Sequence, residues 1–300
     1  MSCWKICRSE PHDRTKKHDL EKKNTGIRKD TDMKENQFGK VSTLSLEAGK
    51  REGKTVLSDV RFTAPYKIMQ PFLLPDGGIQ VMLLAASAGI MEGDRQKFSF
   101  HILPGAKVEF LSQSYDKIHP MDSGDAKRET KISVASGGSF CFHPQPTIPF
   151  AGSAFENRME IELEDETAVF QMCEILTCGR YARGERFAYR NFRNYVEIRR
   201  GGRLIYRDNT WYEPELFPME ETGMMEEFTH QANLFVTKPE DGETFCEEVR
   251  NLLEDERKNC QGGITRLAEG DYAVRLFGWR GQVLEELSNK ILGLLRKNPV

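Results

Sequence analysis

Ile79-Gln-Val-Met-Leu-Leu-Ala85, then Ser87-Ala88-Gly89-Ile90-Met91-Glu92-Gly93-Asp94-Arg95, then Phe98-Ser-Phe-His-Ile-Leu103 read as an apolar strand, an acidic turn and a second strand. The second run alternates apolar and polar residues with the period of two that a strand imposes. Gly89 and Gly93 allow the sharp bend between them, and a turn of this kind fixes the Asp94 carboxylate at a strand end. Working outward, the same grammar continues. Val56–Phe62 and Tyr66–Met69 precede the stretch, and Pro75-Asp76-Gly77-Gly78 turns the chain into Ile79. Beyond it come Lys107–Ser112, expected to pair with Thr130–Ala135, and Ser139–His143 after the turn Ser136–Gly138. Arg158–Glu164 alternates cleanly, with Met159, Ile161 and Leu163 inward and three glutamates toward water. Strands about ten residues apart with Gly and Pro between them indicate stacked, sandwich-like sheets and exclude a βαβ fold.

Helical periodicity is confined to the end of the chain. Thr244 and Glu247 have capping-box spacing ahead of Phe245, Val249, Leu252 and Leu253, which predicts a helix over Thr244–Lys258. Val283, Leu284, Leu287, Ile291, Leu294 and Leu295 predict a second over Gly281–Lys297, with Arg296 and Lys297 at its negative end and Pro299 beyond. Asp271–Gly278 reads as a strand between them. The expectation is a mainly β fold with two C-terminal α-helices.

The 300 residues carry 43 Lys and Arg against 46 Asp and Glu, but the charge is uneven. Met1–Lys40 hold 11 basic against 7 acidic residues, leaving 32 against 39 for the remainder. Residues 1–40 therefore read as a disordered basic extension too polar to bury a core, and residues 41–300 as a single β-rich domain. An acidic body argues against nucleic acid as a partner. No apolar run approaches the roughly 20 residues of a membrane helix, so the expected compartment is the cytoplasm. Seven cysteines, an odd count at scattered spacing, suit reduced thiols.

Two further motifs stand in order behind the acidic turn: Thr147-Ile148-Pro149-Phe150-Ala151, and Gly179-Arg180-Tyr181-Ala182-Arg183-Gly184-Glu185. Together the three resemble the urease accessory protein UreD family, also called UreH. The family's Gly-Gly-x-x-x-Gly-Asp pattern is met from Ala88 to Asp94 with Ala in place of the first Gly, and its Gly-Arg-x-Ala-x-Gly-Glu pattern is complete. The resemblance runs from about Gly53 to Leu295. It implies a β-helix-like fold and a non-enzymatic scaffold that bridges UreF and the GTPase UreG to the urease apoprotein during nickel insertion. It further implies that the Gly-Asp and Gly-Glu motifs line the interior and take part in metal transfer.

The residues themselves allow two chemistries. Ni²⁺ accepts imidazole, carboxylate and water, so weak exchangeable contacts fall to Asp94, Glu185, and His119 or His143. Cys141 and His143, two apart on a strand, share a face and form a candidate pair, although strand packing explains the pattern as well. Cys173 and Cys178, five apart, read as buried apolar side chains. No cofactor is expected to bind tightly; the resemblance implies that nickel is a transient cargo. The alternative is a β-rich hydrolase using Asp94 and Glu185 as a carboxylate pair, which requires them about 5–10 Å apart. No Gly-x-Ser-x-Gly elbow or Walker sequence supports other catalysis. For partner binding, the donor-poor Pro144–Phe150 segment offers Pro146, Pro149 and Phe150, Arg180 joins from the last motif, and Trp211 and Tyr212 supply aromatic surface.

Overall fold

The computed structural model describes residues 41–295. The chain opens with β1 (Val41–Arg51), β2 (Lys54–Phe62), β3 (Tyr66–Ile68), β4 (Phe72–Leu73) and β5 (Ile79–Ala85). Next come β6 (Arg95–Ile102), β7 (Lys107–Ser112), β8 (Asp116–Ile118), β9 (Ala126–Val134), β10 (Ser139–His143) and β11 (Thr147–Pro149). β12 (Ala154–Leu163), β13 (Val169–Thr177), β14 (Asn191–Arg200), β15 (Arg203–Tyr212) and β16 (His230–Val236) follow. The last elements are α1 (Gly242–Asp255), β17 (Cys260–Arg266), β18 (Tyr272–Gly278) and α2 (Gly281–Leu294).

The strands form two facing sheets. The first has the order β15-β14-β12-β9-β6-β1-β2, and the second runs β17-β18-β16-β13-β10-β7-β5-β3. From β5 onward the chain alternates between them: β5, β7, β10 and β13 lie in the second sheet, and β6, β9, β12 and β14 in the first. Within each sheet these strands are parallel and in register, so Phe100, Ile132, Ile161 and Ile198 fall in one row. This is a coil of β-strands. Short strands β8 and β11, parallel to each other, and a bridge from Ile90 to Ile118 add a third, narrower side.

That topology corrects one pairing. Lys107–Ser112 does not pair with Thr130–Ala135; β7 lies between β5 and β10, and β9 between β6 and β12. The physical reason is that Gly- and Pro-rich turns serve equally to reverse a hairpin and to carry the chain across to the opposite sheet. True hairpins occur at Pro75–Gly78, where Leu73 pairs with Ile79, and at Glu52-Gly53, whose φ values of 51° and 79° suit a tight two-residue loop. The Ser87–Arg95 stretch is a crossover between sheets.

Between the sheets lies an apolar core in which Phe98, Phe100, Phe110, Phe140, Phe142, Phe170 and Phe235 are buried, with Phe110 and Phe142 stacked at 5.5 Å. A second core covers the far face of the second sheet. There Phe245 and Val249 of α1, and Leu284, Leu287 and Ile291 of α2, pack on Ile175, Leu234, Val274 and Leu276. The α1 cap is Asp241, not Thr244: its carboxylate accepts the Thr244 amide at 3.0 Å and the Thr244 hydroxyl at 2.7 Å. The helix begins two residues earlier and ends three earlier than its periodicity predicts. The extension over residues 1–40, and Arg296, Lys297 and Pro299, lie outside the described residues.

One end of the coil is locked by an ion pair. Arg200, the last residue of β14, donates to Asp271 at 2.6 and 3.1 Å, and Asp271 also accepts the Lys238 amide at 3.1 Å. Both side chains are buried, so each needs the other.

Candidate functional site

The three sequence motifs converge on the Phe150 ring. Gly89 lies so close to β8 that an added Cβ would sit 2.3 Å from the Lys117 carbonyl oxygen, which excludes a side chain there. That approach places the Ala88 carbonyl 3.0 Å from His119 Nε2, so this nitrogen carries the proton and donates. The His119 ring stands 4.9 Å from Phe150, and the Arg180 guanidinium lies 4.0 Å from the Phe150 centroid. Arg180 Nε donates to Glu185 Oε2 at 2.8 Å, a second guanidinium nitrogen contacts Oε1, and Ala151 N donates to Oε2 at 3.1 Å. Arg180 holds the Glu185 carboxyl below the usual carboxylate range.

Asp94 serves the turn itself. Its Oδ2 accepts the Met91 amide at 2.8 Å, and its own amide donates to the Met91 carbonyl. Arg95 pairs with Asp125, at 2.7 Å. Asp94 and Glu185 thus each have their own partners, and Glu185 is stabilised as the anion, whereas a general acid needs its pKa raised. The arrangement does not favour a carboxylate-pair hydrolase.

Of the remaining sequence candidates, Cys141 faces the helices with Cys173 and Leu284, while Phe140 and Phe142 face the inter-sheet core. His143 is buried at the end of the same strand. Burial pushes the Cys173 thiol up to about 12 and Cys178 up to about 11, as expected for apolar packing. Pro146, Pro149 and Phe150 are buried, and Pro149 pairs with Ile118. Trp211 is 56% exposed, with Leu216 and Phe217 exposed nearby. The Tyr212 ring turns inward and its hydroxyl donates to Gln231 Oε1 at 2.6 Å.

The residues that sequence reading missed form a polar layer through the coil. In the first sheet Gln96, Arg128, Asn157, Asn194 and Thr210 are consecutive cross-strand partners on β6, β9, β12, β14 and β15. All sit on the inward face that two residues later carries Phe98, Thr130, Met159 and Val196. Opposite them, Glu174 of β13 accepts from Asn157 Nδ2 at 3.2 Å and Asn194 Nδ2 at 2.9 Å. Removal from bulk water raises the Glu174 pKa. Asn233 and Arg275 continue the row on β16 and β18, and Arg275 pairs with Asp208 at 3.0 Å.

Two internal cavities follow this layer. One, of about 40 Å³, is bordered by Glu174, Asn157, Asn194, Thr210, Tyr212 and Gln231. The other, of about 60 Å³, reaches the motif turn at Ser87, Ala88 and Gly89. Each has room for a few waters, a single water requiring roughly 10–15 Å³ on this measure. Tyr66 Oη, Thr130 Oγ1 and Asn157 Oδ1 are buried without a protein hydrogen-bond partner, and the residues that carry them border these spaces. Among the described residues, no group of three or more His, Cys, Asp and Glu could hold a metal ion. The donors along the layer are amide, hydroxyl and carboxylate oxygens.

Comparison with known proteins follows the same outline. The family described as UreD urease accessory protein matches residues 40–299. A urease accessory protein UreD of Acetivibrio thermocellus is 36% identical over 269 residues, covering 87% of this chain and 99% of the relative. A urease accessory protein UreH of Helicobacter pylori is 31% identical over 262 residues, covering 87% and 97%, and a UreD of Flavobacterium johnsoniae 30% over 254, covering 84% and 91%.

Proposed function

The chain belongs to the UreD urease accessory protein family, and from that membership and its polar interior we propose that it is a non-enzymatic scaffold for nickel insertion into urease. In this reading residues 41–300 act as one domain in the cytoplasm, bridging UreF and UreG to the urease apoprotein. The observation that carries the reading is the polar layer. A β-coil stabilises itself by filling its interior with apolar rows, and the row through Phe100 and Ile161 does so. Placing Arg128, Asn157, Asn194 and Glu174 in one such row gives up that burial, at roughly 1.5–3 kcal/mol for each large apolar side chain forgone. A row of this cost at one level of every coil suits a route along the coil axis.

Nickel on this route is cargo. Ni²⁺ exchanges readily among water, carboxylate and amide oxygens, and a line of weak donors with interleaved water lets it move without being trapped. Glu174 supplies the negative charge at the centre of the wider polar stretch, and Asn157 Oδ1, which lacks a protein donor, supplies a neutral oxygen beside it. The motif residues then build the wall: Gly89, His119, Phe150, Arg180 and Glu185 fix the loops that close the coil beside the cavity. Trp211, Leu216 and Phe217 give an exposed apolar surface at the β15 edge for a protein partner.

Co-expression tests the scaffold reading. The chain is expected to co-purify with UreF and with urease subunits, and its omission is expected to leave urease assembled but nickel-poor. Urease that acquires full nickel without the chain contradicts the proposal.

A further inference from the structure

The two cavities meet at a single ion pair. Arg128, Asp116, Phe142 and Pro144 border both of them. Arg128 Nη1 donates to Asp116 Oδ2 at 2.6 Å and Nε to Gln96 Oε1 at 2.8 Å. The guanidinium lies 5.0 Å from the Phe98 centroid and 5.8 Å from that of Phe155, so two polar partners and two rings hold it. Its side chain is 12% exposed and that of Asp116 24%.

This placement is at odds with a plain cation conduit. Arginine stays protonated under all physiological conditions. The amides and Glu174 attract a cation toward the layer, and a fixed guanidinium in the same row repels it. The route is therefore closed to cations at the junction, and the group that closes it is tied to a carboxylate that is itself a good metal ligand. Nothing covalent is needed to open it, since exchanging the partner of Asp116 moves Arg128 aside and leaves every proton where it was.

We propose that the Arg128–Asp116 pair is a charge gate that selects divalent cations: an incoming dication takes Asp116 as a ligand, releases Arg128 and passes, whereas an ion too weakly charged to compete leaves the pair closed. The proposal rests on the reading of the polar layer as the metal route. Its direct consequence is that Arg128 keeps the route from retaining nickel. Without the guanidinium, Asp116 and Glu174 face a shared space with no fixed cation between them, and a dication stays.

The test measures nickel binding to the purified chain by equilibrium dialysis with Ni²⁺ alone, and nickel content of urease matured by the complete accessory complex at limiting nickel. Arg128→Met is expected to bind Ni²⁺ about tenfold more tightly than the parent and to deliver less of it, because removing a like charge a few ångströms away favours the bound dication. Arg128→Lys, which keeps the charge, is expected to match the parent, and Asp116→Asn with Arg128→Met to return binding to the parental level. Parental binding and delivery by Arg128→Met overturn the gate. Should that variant not fold, the charge-balanced double variant decides: delivery at limiting nickel above the parent's supports the gate, and delivery equal to it refutes it. Asn157→Leu with Asn194→Leu separates the two readings. If delivery survives that block, the route itself is wrong; if delivery stops there while Arg128→Met behaves as the parent, only the gate is wrong.

Discussion

Replacing Glu174 with Gln tests whether the half-buried carboxylate that faces the cavity is kept for function. In the folded protein Glu174 has little contact with bulk water: it faces the cavity and accepts from Asn157 and Asn194. Desolvation raises its pKa above the usual carboxylate range, so the folded state binds the proton more tightly than the unfolded chain. Its contribution is therefore fully present below the unfolded pKa and is lost as pH rises through the folded one. Each unit of elevation corresponds to about 1.4 kcal/mol lost above that pH. Gln removes the titration but turns one amide donor toward another, a cost of about 1–3 kcal/mol that does not vary with pH. Thermal midpoints of parent and Glu174→Gln are to be compared across about pH 4 to 8. The variant should be the less stable at the acid end, and the gap should close or invert as pH rises, by about 2–4 °C per 1 kcal/mol for a domain of this size. Urease activation at limiting nickel should fall throughout. An offset that is constant with pH, or activation equal to the parent's, refutes the assignment.

Three other outcomes follow from named contacts. Asp271→Ala, which leaves Arg200 buried without its counter-ion, should destabilise by about 3–5 kcal/mol in urea unfolding. Glu185→Ala should lower the folding free energy by about 1–3 kcal/mol, because Arg180 and the Ala151 amide lose their acceptor; a midpoint unchanged in urea would show that the carboxylate is free. Gly89→Ala should cost at least about 1–3 kcal/mol and lower soluble yield, since its Cβ would sit 2.3 Å from the Lys117 carbonyl at a φ of 146°; wild-type stability would show that the loop relocates freely.

The strands were legible because each buries one face: Met159, Ile161 and Leu163 alternate with glutamates, and the structure turns them inward as that alternation requires. The pairing was not legible. A turn such as Pro104–Ala106 reads the same whether the next strand returns beside the last or crosses to the facing sheet, and here it crosses. Both helices were visible, although α1 takes its cap from Asp241, three residues ahead of the Thr244 whose spacing with Glu247 resembles a capping box. Of the site, the motif residues were found and their local geometry was not: Asp94 and Glu185 look alike in sequence, yet one closes a turn and the other braces Arg180 over Phe150. The polar layer carried a signal that went unused. Arg128, Asn157 and Asn194 each stand on the inward face of a strand, two residues before Thr130, Met159 and Val196, and a polar residue at that phase has to find its reason inside the coil.

The central claim is that nickel passes along the polar layer, and the most direct measurement is the nickel content of urease matured by Asn157→Leu with Asn194→Leu. Leucine shares the branching and side-chain heavy-atom count of asparagine, and the cavity beside both positions takes up its greater bulk, so the coil should remain folded and bound to its partners, while both donors to Glu174 and the Asn157 oxygen that lacks a protein donor are removed together. With folding checked by circular dichroism and partner binding by co-purification, the account predicts assembled urease largely without nickel at limiting supply. Urease with the parental nickel content, matured by the folded and partner-bound variant, contradicts it.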